Sequence, residues 1–262
     1  MWKEQEKKPI IPYLRLTFGI SWGAELLCIL LERLQVLPSN LEQLIIMSII
    51  ALFGALAPGM TVYILLKKHG RINGLGQYLK RVFACENKKK FAIGLLLSFG
   101  YFAIFIFLTE KTVPERPLYL ILPMLLVMIP GGGWEELGWR GFLQSALEER
   151  FGFIRGTALL GVIWSVWHLP LWLIQCANQK NFVFWAFAVY CIAFSFLLAM
   201  TYQITQCVLA PILLHAWGNT MCGGVFTYHS LENGPSILGW ILLAGMIVLA
   251  CIVNQVHQHA SK

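Results

Sequence analysis

Residues 131–140 read GGGWEELGWR, and they follow the apolar run 118–130. The motif places Glu135, Glu136 and Arg140 directly beside residues that are otherwise apolar. Ionisable side chains at membrane depth cost free energy, and when they occur there they usually serve a function. The apolar run therefore indicates a membrane segment, and the charged residues after it indicate a buried site.

The composition of the whole chain supports a membrane protein. Of the 262 residues, 58% are hydrophobic and 13% are charged, whereas a soluble domain is typically about 45–50% apolar and about 25% charged. We therefore expect residues 1–262 to form a single membrane domain. The net charge of +7 comes from lysines and arginines that cluster beside apolar segments, where they set orientation and attract anionic lipid. This pattern predicts the lipid bilayer, and not nucleic acid, as a partner.

The apolar segments predict an all-α, polytopic membrane protein. A transmembrane helix needs about 20 predominantly apolar residues, and the range of about 17–25 allows about eight helices in this chain. The predicted spans are 14–31, 42–66, 91–109, 117–133, 156–175, 182–203, 207–222 and 236–254.

The positive residues predict the orientation of these spans. The longest polar loop, 67–90, is rich in lysine and arginine, and the positive-inside rule places it in the cytoplasm. Both termini, including Lys3, Lys7 and Lys8, are then cytoplasmic. These lysines lead into the first span without a small-residue cleavage site, so we expect no cleavable signal. The small size favours a bacterial chain, and we expect a multi-pass protein of the bacterial plasma membrane.

The cysteines do not predict a disulfide framework. There are seven of them, an odd number, scattered mostly through apolar segments and without a CxxC motif. We expect free thiols.

Pro130 and the three glycines after it predict a break near the inner end of the fourth span. Irregular backbone at membrane depth is tolerated only where protein or a watered cavity satisfies its polar groups. A plain interfacial loop is the alternative. Residues 134–150 then predict a new amphipathic helix that stops near Gly152.

The two adjacent glutamates predict two different roles. Successive helix residues point about 100° apart, so Glu135 and Glu136 face different directions. Arg140 follows Glu136 by four residues, the spacing at which helical side chains meet, and we predict an ion pair between them. Glu135 then has no local partner, and a carboxyl group in a low-dielectric pocket can exchange protons with water near neutral pH. The alternative is a solvated acid at a helix start.

Two later apolar segments each carry a histidine with an aligned companion. Trp164 precedes His168 by four residues, and His215 precedes Asn219 by four, so each pair shares a helix face. A single intramembrane histidine is as often a packed, hydrogen-bonded residue as a functional one. Two histidines with aligned companions favour a functional site.

Together these groups predict the hydrolysis of a peptide bond. A glutamate beside a histidine can take a proton from water and create a hydroxide-like nucleophile. A second histidine and an asparagine amide can donate to the oxyanion that forms when a carbonyl is attacked. This reaction needs no cofactor. The alternative is a zinc-dependent version in which Glu135, His168 and His215 bind the metal, although no HExxH motif is present.

The order and spacing of these motifs resemble the CPBP family of CAAX-protease and bacteriocin-processing membrane proteins, also called Abi. This family is related to the type II CAAX prenyl endopeptidase, and the resemblance covers about residues 125–225. The motifs are Glu135-Glu136-x-x-x-Arg140, Trp164-x-x-x-His168 and His215-x-x-x-Asn219. Trp164 stands where phenylalanine is usual in the family, and we expect it to be tolerated as aromatic packing.

The resemblance implies an eight-helix intramembrane protease. Glu135 and His168 would activate the water, and His215 and Asn219 would stabilise the oxyanion. Glu136 and Arg140 would support the site.

The expected substrates are small peptides or membrane-associated proteins. In a bacterium, bacteriocin processing, signal-peptide processing or immunity is favoured over the cleavage of prenylated proteins. One rival is a non-catalytic membrane scaffold or immunity protein. Another is a proton-coupled transporter, but transporters commonly contain internal repeats, and none is visible here.

The first span contains two features that we expect to be structural. Residues 19–23 spell GxSxG, but a nucleophile elbow needs a strand, a turn and a helix, and these residues begin a membrane helix. Glu25 is expected to pair with Arg15 or with a neighbour.

Overall fold

The computed structural model describes residues 9–35, 38–113 and 116–260. Lys3, Lys7 and Lys8 lie outside the described residues. Within them the chain forms helices and isolated β-bridges but no strand, so the predicted all-α fold is confirmed. The α-helices of the described residues, α1 to α12, are Ile10–Leu34, Ser39–Ile49, Ala57–Lys68, Leu75–Val82, Lys88–Thr109, Ile121–Gly131, Glu136–Gly138, Gln144–Trp167, Phe184–Thr205, Leu209–Met221, His229–Asn233 and Ile237–Ala260.

Helical residues occupy all eight predicted spans, but not all of them are long enough to cross a membrane. In the described ranges, five helical stretches are long and apolar enough, and the pair α2–α3, bent by 42°, makes a sixth. One of the five is the run Leu118–Leu173, which contains two of the predicted spans. Helix α10 has 13 residues, fewer than the roughly 17 that a span needs. The polytopic membrane fold is confirmed, while the number of eight spans and the cytoplasmic termini stay predictions.

Helix α9 forms the centre of the bundle. All its residues from 193 to 201 are buried, as expected for a helix that is apolar on every side. It packs against α5, α8, α10 and α12, and the Ser98 and Thr201 hydroxyl oxygens, 2.6 Å apart, form a hydrogen bond between α5 and α9. This central helix holds α8 and α10 in fixed positions, and both carry predicted site residues.

The bend between α2 and α3 brings α3 against the region of the motif. A π-helical turn, Ile50–Ala55, ends α2, and Pro58 lies in the first turn of α3. A proline that follows a helical segment kinks or breaks the helix, because it has no N–H to donate and its ring clashes with the preceding turn. Gly59 of α3 then lies against Leu137, where a methyl group would come 2.7 Å from the Leu137 Cβ.

The predicted break after α6 is present, but the helix predicted over 134–150 is not continuous. A 3-10 turn, Gly133–Glu135, a single turn in α7 and a π-helical turn, Trp139–Leu143, precede α8. An amphipathic helix would have one solvated face, whereas Glu135 to Leu143 are all buried. Helix α8 is interrupted where the stop was predicted, because the backbone of Gly152, with φ 77° and ψ 168°, is not helical, and a second helical stretch then continues to Trp167. The positive φ lies in the left-handed region that favours glycine.

The expectation of free thiols is wrong for one pair of cysteines. Cys85 and Cys207 form a disulfide across a sequence separation of 122 residues, a distance over which no local pattern indicates pairing. The bond links the connection between α4 and α5 to the start of α10. The free cysteines of the described residues are Cys28, Cys176, Cys191, Cys222 and Cys251.

Candidate active site

Three separate parts of the chain meet around one cavity of about 240 Å³. The break after α6 contributes Glu135, the end of α8 contributes His168, and α10 contributes His215 and Asn219. The structure thus brings together the four side chains that the sequence singled out for chemistry.

The Glu135 carboxylate is held by two indole groups. Its Oε2 accepts hydrogen bonds from Trp164 Nε1 at 2.7 Å and from Trp139 Nε1 at 3.3 Å. The residue is only 5% exposed and lines the cavity. Both bonds end on Oε2, so Oε1 is the oxygen that can accept a proton from a molecule in the cavity.

The two tryptophans do more than the sequence indicated. Trp164 was expected to serve as aromatic packing, but it donates the shorter bond to Glu135, which the phenylalanine usual in the family cannot do. Trp139 was not predicted at all. It follows Glu135 by four residues, and the spacing that revealed the Glu136–Arg140 pair would have revealed this contact as well.

His168 presents one ring nitrogen to the cavity. Its Nδ1 lies 2.8 Å from the main-chain oxygen of Trp164. A carbonyl oxygen only accepts, so Nδ1 carries the hydrogen, and Nε2 of the neutral ring has a free lone pair. The edges of Trp167 and Phe187, with ring centroids at 4.7 and 5.1 Å, fix the plane of the imidazole. His168 is therefore arranged as a proton acceptor.

Glu136 joins two parts of the site. The predicted contact with Arg140 is present, with Arg140 Nη1 2.8 Å from Glu136 Oε2, and both side chains are fully buried. The other oxygen, Oε1, lies 2.8 Å from His215 Nδ1, a contact that the sequence did not predict. Arg140 Nη2 also donates to the main-chain oxygen of Ser195 on α9, at 3.3 Å. Glu136 thus fixes the imidazole of α10 against the bundle centre.

The glycine break allows the backbone to pass directly beside His215 and Asn219. A Cβ on Gly132 would overlap Asn219 Nδ2 and would lie 3.4 Å from His215 Nε2. A Cβ on Gly133 would come 2.8 Å from the main-chain oxygen of Ile212. Only residues without a side chain permit this close approach, and it places both nitrogen atoms at the break.

The donor atoms do not form a metal-ligand set as they stand. Among the residues that the structure describes, no three His, Cys, Asp or Glu side chains are placed to hold one ion. Zinc requires ligand distances of about 2.0–2.2 Å from nitrogen and oxygen donors. The zinc alternative requires Glu135, His168 and His215 as ligands. These side chains line one cavity, but they do not converge on a single position that one ion could occupy.

The two features of the first span have different outcomes. Ser21, of the GxSxG sequence, is buried in α1, donates to Thr17 O and accepts from Trp167 Nε1, so it has a structural role. Glu25 is not paired with Arg15 as expected. It lines the cavity, and its Oε2 has no hydrogen-bond partner.

The fold and the site define a class of protein, namely a polytopic helical membrane protein in which Glu, His, His and Asn side chains line an internal cavity. Residues 117–221 match the family model of the type II CAAX prenyl endopeptidase Rce1-like proteins. This segment is therefore similar to the Rce1-like proteins, as the three motifs predicted, and it contains Glu135, His168, His215 and Asn219.

A curated relative supports the same assignment of the segment. CAAX prenyl protease 2 of Methanococcus maripaludis is 34% identical to this chain over 58 residues. The matched region is 22% of this chain and 21% of the relative. The chain thus matches about a fifth of the length of that relative.

Proposed function

We propose that the protein is an intramembrane endopeptidase that hydrolyses peptide bonds with a water molecule activated by Glu135 and His168. The observation that carries this proposal is the convergence of Glu135, His168, His215 and Asn219 on one cavity inside a membrane-type bundle. The Rce1-like segment supports it, because the segment contains all four residues.

Glu135 and His168 would create the nucleophile. Water in the cavity gives one proton to the Glu135 carboxylate and donates its other hydrogen to His168 Nε2, which orients it. The water oxygen attacks the carbonyl carbon, and the carbonyl oxygen becomes an oxyanion. When the C–N bond breaks, the leaving amine takes the proton from Glu135, so the enzyme returns to its starting state. General-base catalysis of this kind contributes about 100- to 10,000-fold in rate.

His215 and Asn219 would stabilise the oxyanion. Asn219 Nδ2 is a donor in any state, whereas His215 Nε2 donates only when the ring carries both hydrogens, since Nδ1 is bonded to Glu136. The Glu136 carboxylate lies against this ring and compensates the positive charge of the doubly protonated form. Removing one donor of this kind typically costs about 100- to 1,000-fold in rate.

The substrate would be a small peptide or the tail of a membrane-associated protein. The curated relative is named for CAAX prenyl substrates, and a prenylated C-terminal tail is therefore one candidate. Bacteriocin processing, signal-peptide processing and immunity are the others. A cavity of about 240 Å³ admits an extended peptide only in part, so a few residues around the cleaved bond would decide selectivity.

A cleavage assay tests the proposal. We expect the purified protein, in lipid nanodiscs, to cleave members of a peptide library synthesised with and without a farnesylated cysteine, with products identified by mass spectrometry. Cleavage should persist after treatment with 1,10-phenanthroline. Loss of activity that zinc restores would replace this mechanism by the zinc-dependent alternative. A wild-type protein that cleaves no peptide, and whose cellular phenotype survives loss of Glu135, would instead be a non-catalytic scaffold or immunity protein.

We expect Gly132→Ala to reduce cleavage about 100-fold or more, the cost of losing an oxyanion donor. The added methyl group would overlap Asn219 Nδ2 and crowd His215 Nε2. The control is Gly131→Ala, whose methyl group would meet only Met128 side-chain atoms, the nearest at 3.6 Å. The measurement compares the initial cleavage rates of the two variants, after size-exclusion chromatography has shown that both are folded. Equal rates for both would show that Asn219 and His215 do not act at the glycine break.

A further inference from the structure

Glu25 is a buried acid that the proposed reaction does not use. It lies in the middle of α1, is 1% exposed and lines the same cavity as Glu135. Its Oε2 has no hydrogen-bond partner. Burying a carboxylate without a partner is costly, and such groups are normally paired with a cation or hydrogen-bonded.

The packing of α1 holds Glu25 beside the end of α8. Trp22 Nε1 donates to Trp167 O at 2.9 Å, and Trp167 Nε1 donates to Ser21 Oγ at 2.6 Å. Ser21 and Glu25 are one helical turn apart and share a face. The contacts of Trp167 therefore hold this part of α1, including Glu25, beside the end of α8.

The neighbouring π-helical turn leaves space for the carboxylate. A Cβ on Gly54 would lie 3.7 Å from Glu25 Oε1, so a larger side chain there would press against this oxygen. Both Glu25 and Gly54 line the cavity. Glu25 thus borders the cavity beside this π-helical turn.

The cavity is lined by two acidic side chains, and its basic groups are the imidazoles of His168 and His215. Among the described residues, the lining includes the acids Glu25 and Glu135 but neither lysine nor arginine. Arg140 is the nearby buried cation, and it is already bonded to Glu136 and to the main chain of Ser195. A positive group that enters the cavity would meet an unpaired carboxylate.

We propose that Glu25 binds a positively charged group of the substrate, a protonated amine or a guanidinium, and so makes the enzyme selective for cationic peptides. This inference rests on the proposed peptidase function. Glu25 is then a specificity-determining residue that lines the same cavity as Glu135. A cation held there would both satisfy Glu25 and fix the register of the peptide relative to Glu135.

The test uses two fluorescent peptides that differ only by lysine or norleucine at one position, scanned along a sequence that the wild-type protein cleaves. We expect the wild type to prefer the lysine peptide in kcat/KM by about tenfold or more at one position, mainly through KM, because a buried charge pair is worth more than a solvated one. In Glu25→Gln this ratio should fall to about one. The control is Glu32→Gln. Glu32 is on the same helix but outside the cavity, where it accepts hydrogen bonds from the main-chain N–H groups of Gln175 and Cys176, and its variant should retain the preference.

Binding of the same two peptides, measured by fluorescence anisotropy, separates this inference from the proposed reaction. If no peptide is cleaved but the lysine peptide binds more tightly and Glu25→Gln removes the difference, Glu25 is a cation site and the peptidase function is wrong. If peptides are cleaved without a preference for lysine at any position, the peptidase stands and the inference is overturned. Binding of Zn²⁺ alone that is lost in Glu25→Gln would also overturn it, since the carboxylate would then be a metal ligand.

Discussion

Glu135→Gln is expected to lower the rate of peptide cleavage about 100- to 10,000-fold, the contribution of a general base. Glutamine has the same shape as glutamate, but its amide cannot take a proton from water at neutral pH. The effect should appear in kcat, because the group acts on the water and not on the binding of the peptide.

The fold should survive this substitution. The side-chain oxygen of glutamine can still accept the hydrogen bonds that Trp164 and Trp139 donate to Glu135. Replacing a buried acid by a neutral group also removes a desolvation cost. We therefore expect a thermal unfolding temperature in detergent equal to or above that of the wild type.

The control for Glu135→Gln is Glu149→Gln, which changes the net charge equally at an exposed position of α8. Single-turnover rates with an excess of enzyme over peptide compare the two variants without interference from product release. If Glu135→Gln retained more than a tenth of the wild-type rate, the water would be activated by another group, and His168 would be the first candidate.

Local spacing was sufficient to predict the parts of the site that lie within one helical turn. Glu136 and Arg140 are four residues apart, and so are His215 and Asn219, because side chains at this spacing meet on any helix. Long apolar runs were sufficient to predict a membrane fold, because a membrane span also depends on local information, namely the length and composition of a single segment.

Contacts between distant segments could not be predicted from one sequence. The bond from Trp164 to Glu135 and the bond from His215 to Glu136 join residues 29 and 79 positions apart, and they depend on how α8 and α10 pack around α9. Glu25 was expected to pair with Arg15 or with a neighbour, because the sequence does not show that α1 packs beside the end of α8.

Loss of Glu136 is expected to affect both stability and catalysis. This residue is fully buried, and its Oε1 accepts hydrogen bonds from both Arg140 and His215, while Oε2 lies 2.8 Å from Arg140 Nη1. Glu136→Leu leaves the Arg140 charge buried without its partner, and breaking a buried pair in this way costs about 3–5 kcal/mol. We expect a clearly lower thermal unfolding temperature, measured by size-exclusion chromatography after heating in detergent, together with the loss of peptide cleavage.

A double variant separates these two effects. When Arg140→Met accompanies Glu136→Leu, no unpaired charge remains, and replacing a buried pair by apolar residues of similar volume is often neutral or stabilising. We expect the unfolding temperature to return toward the wild-type value while cleavage stays low, because His215 Nδ1 has lost the carboxylate that orients its ring. If the double variant recovered cleavage together with stability, the Glu136–His215 contact would have no role in the reaction, and Glu136 would serve only to neutralise Arg140. Low cleavage in a stable protein would instead identify Glu136 as the residue that positions the oxyanion donor.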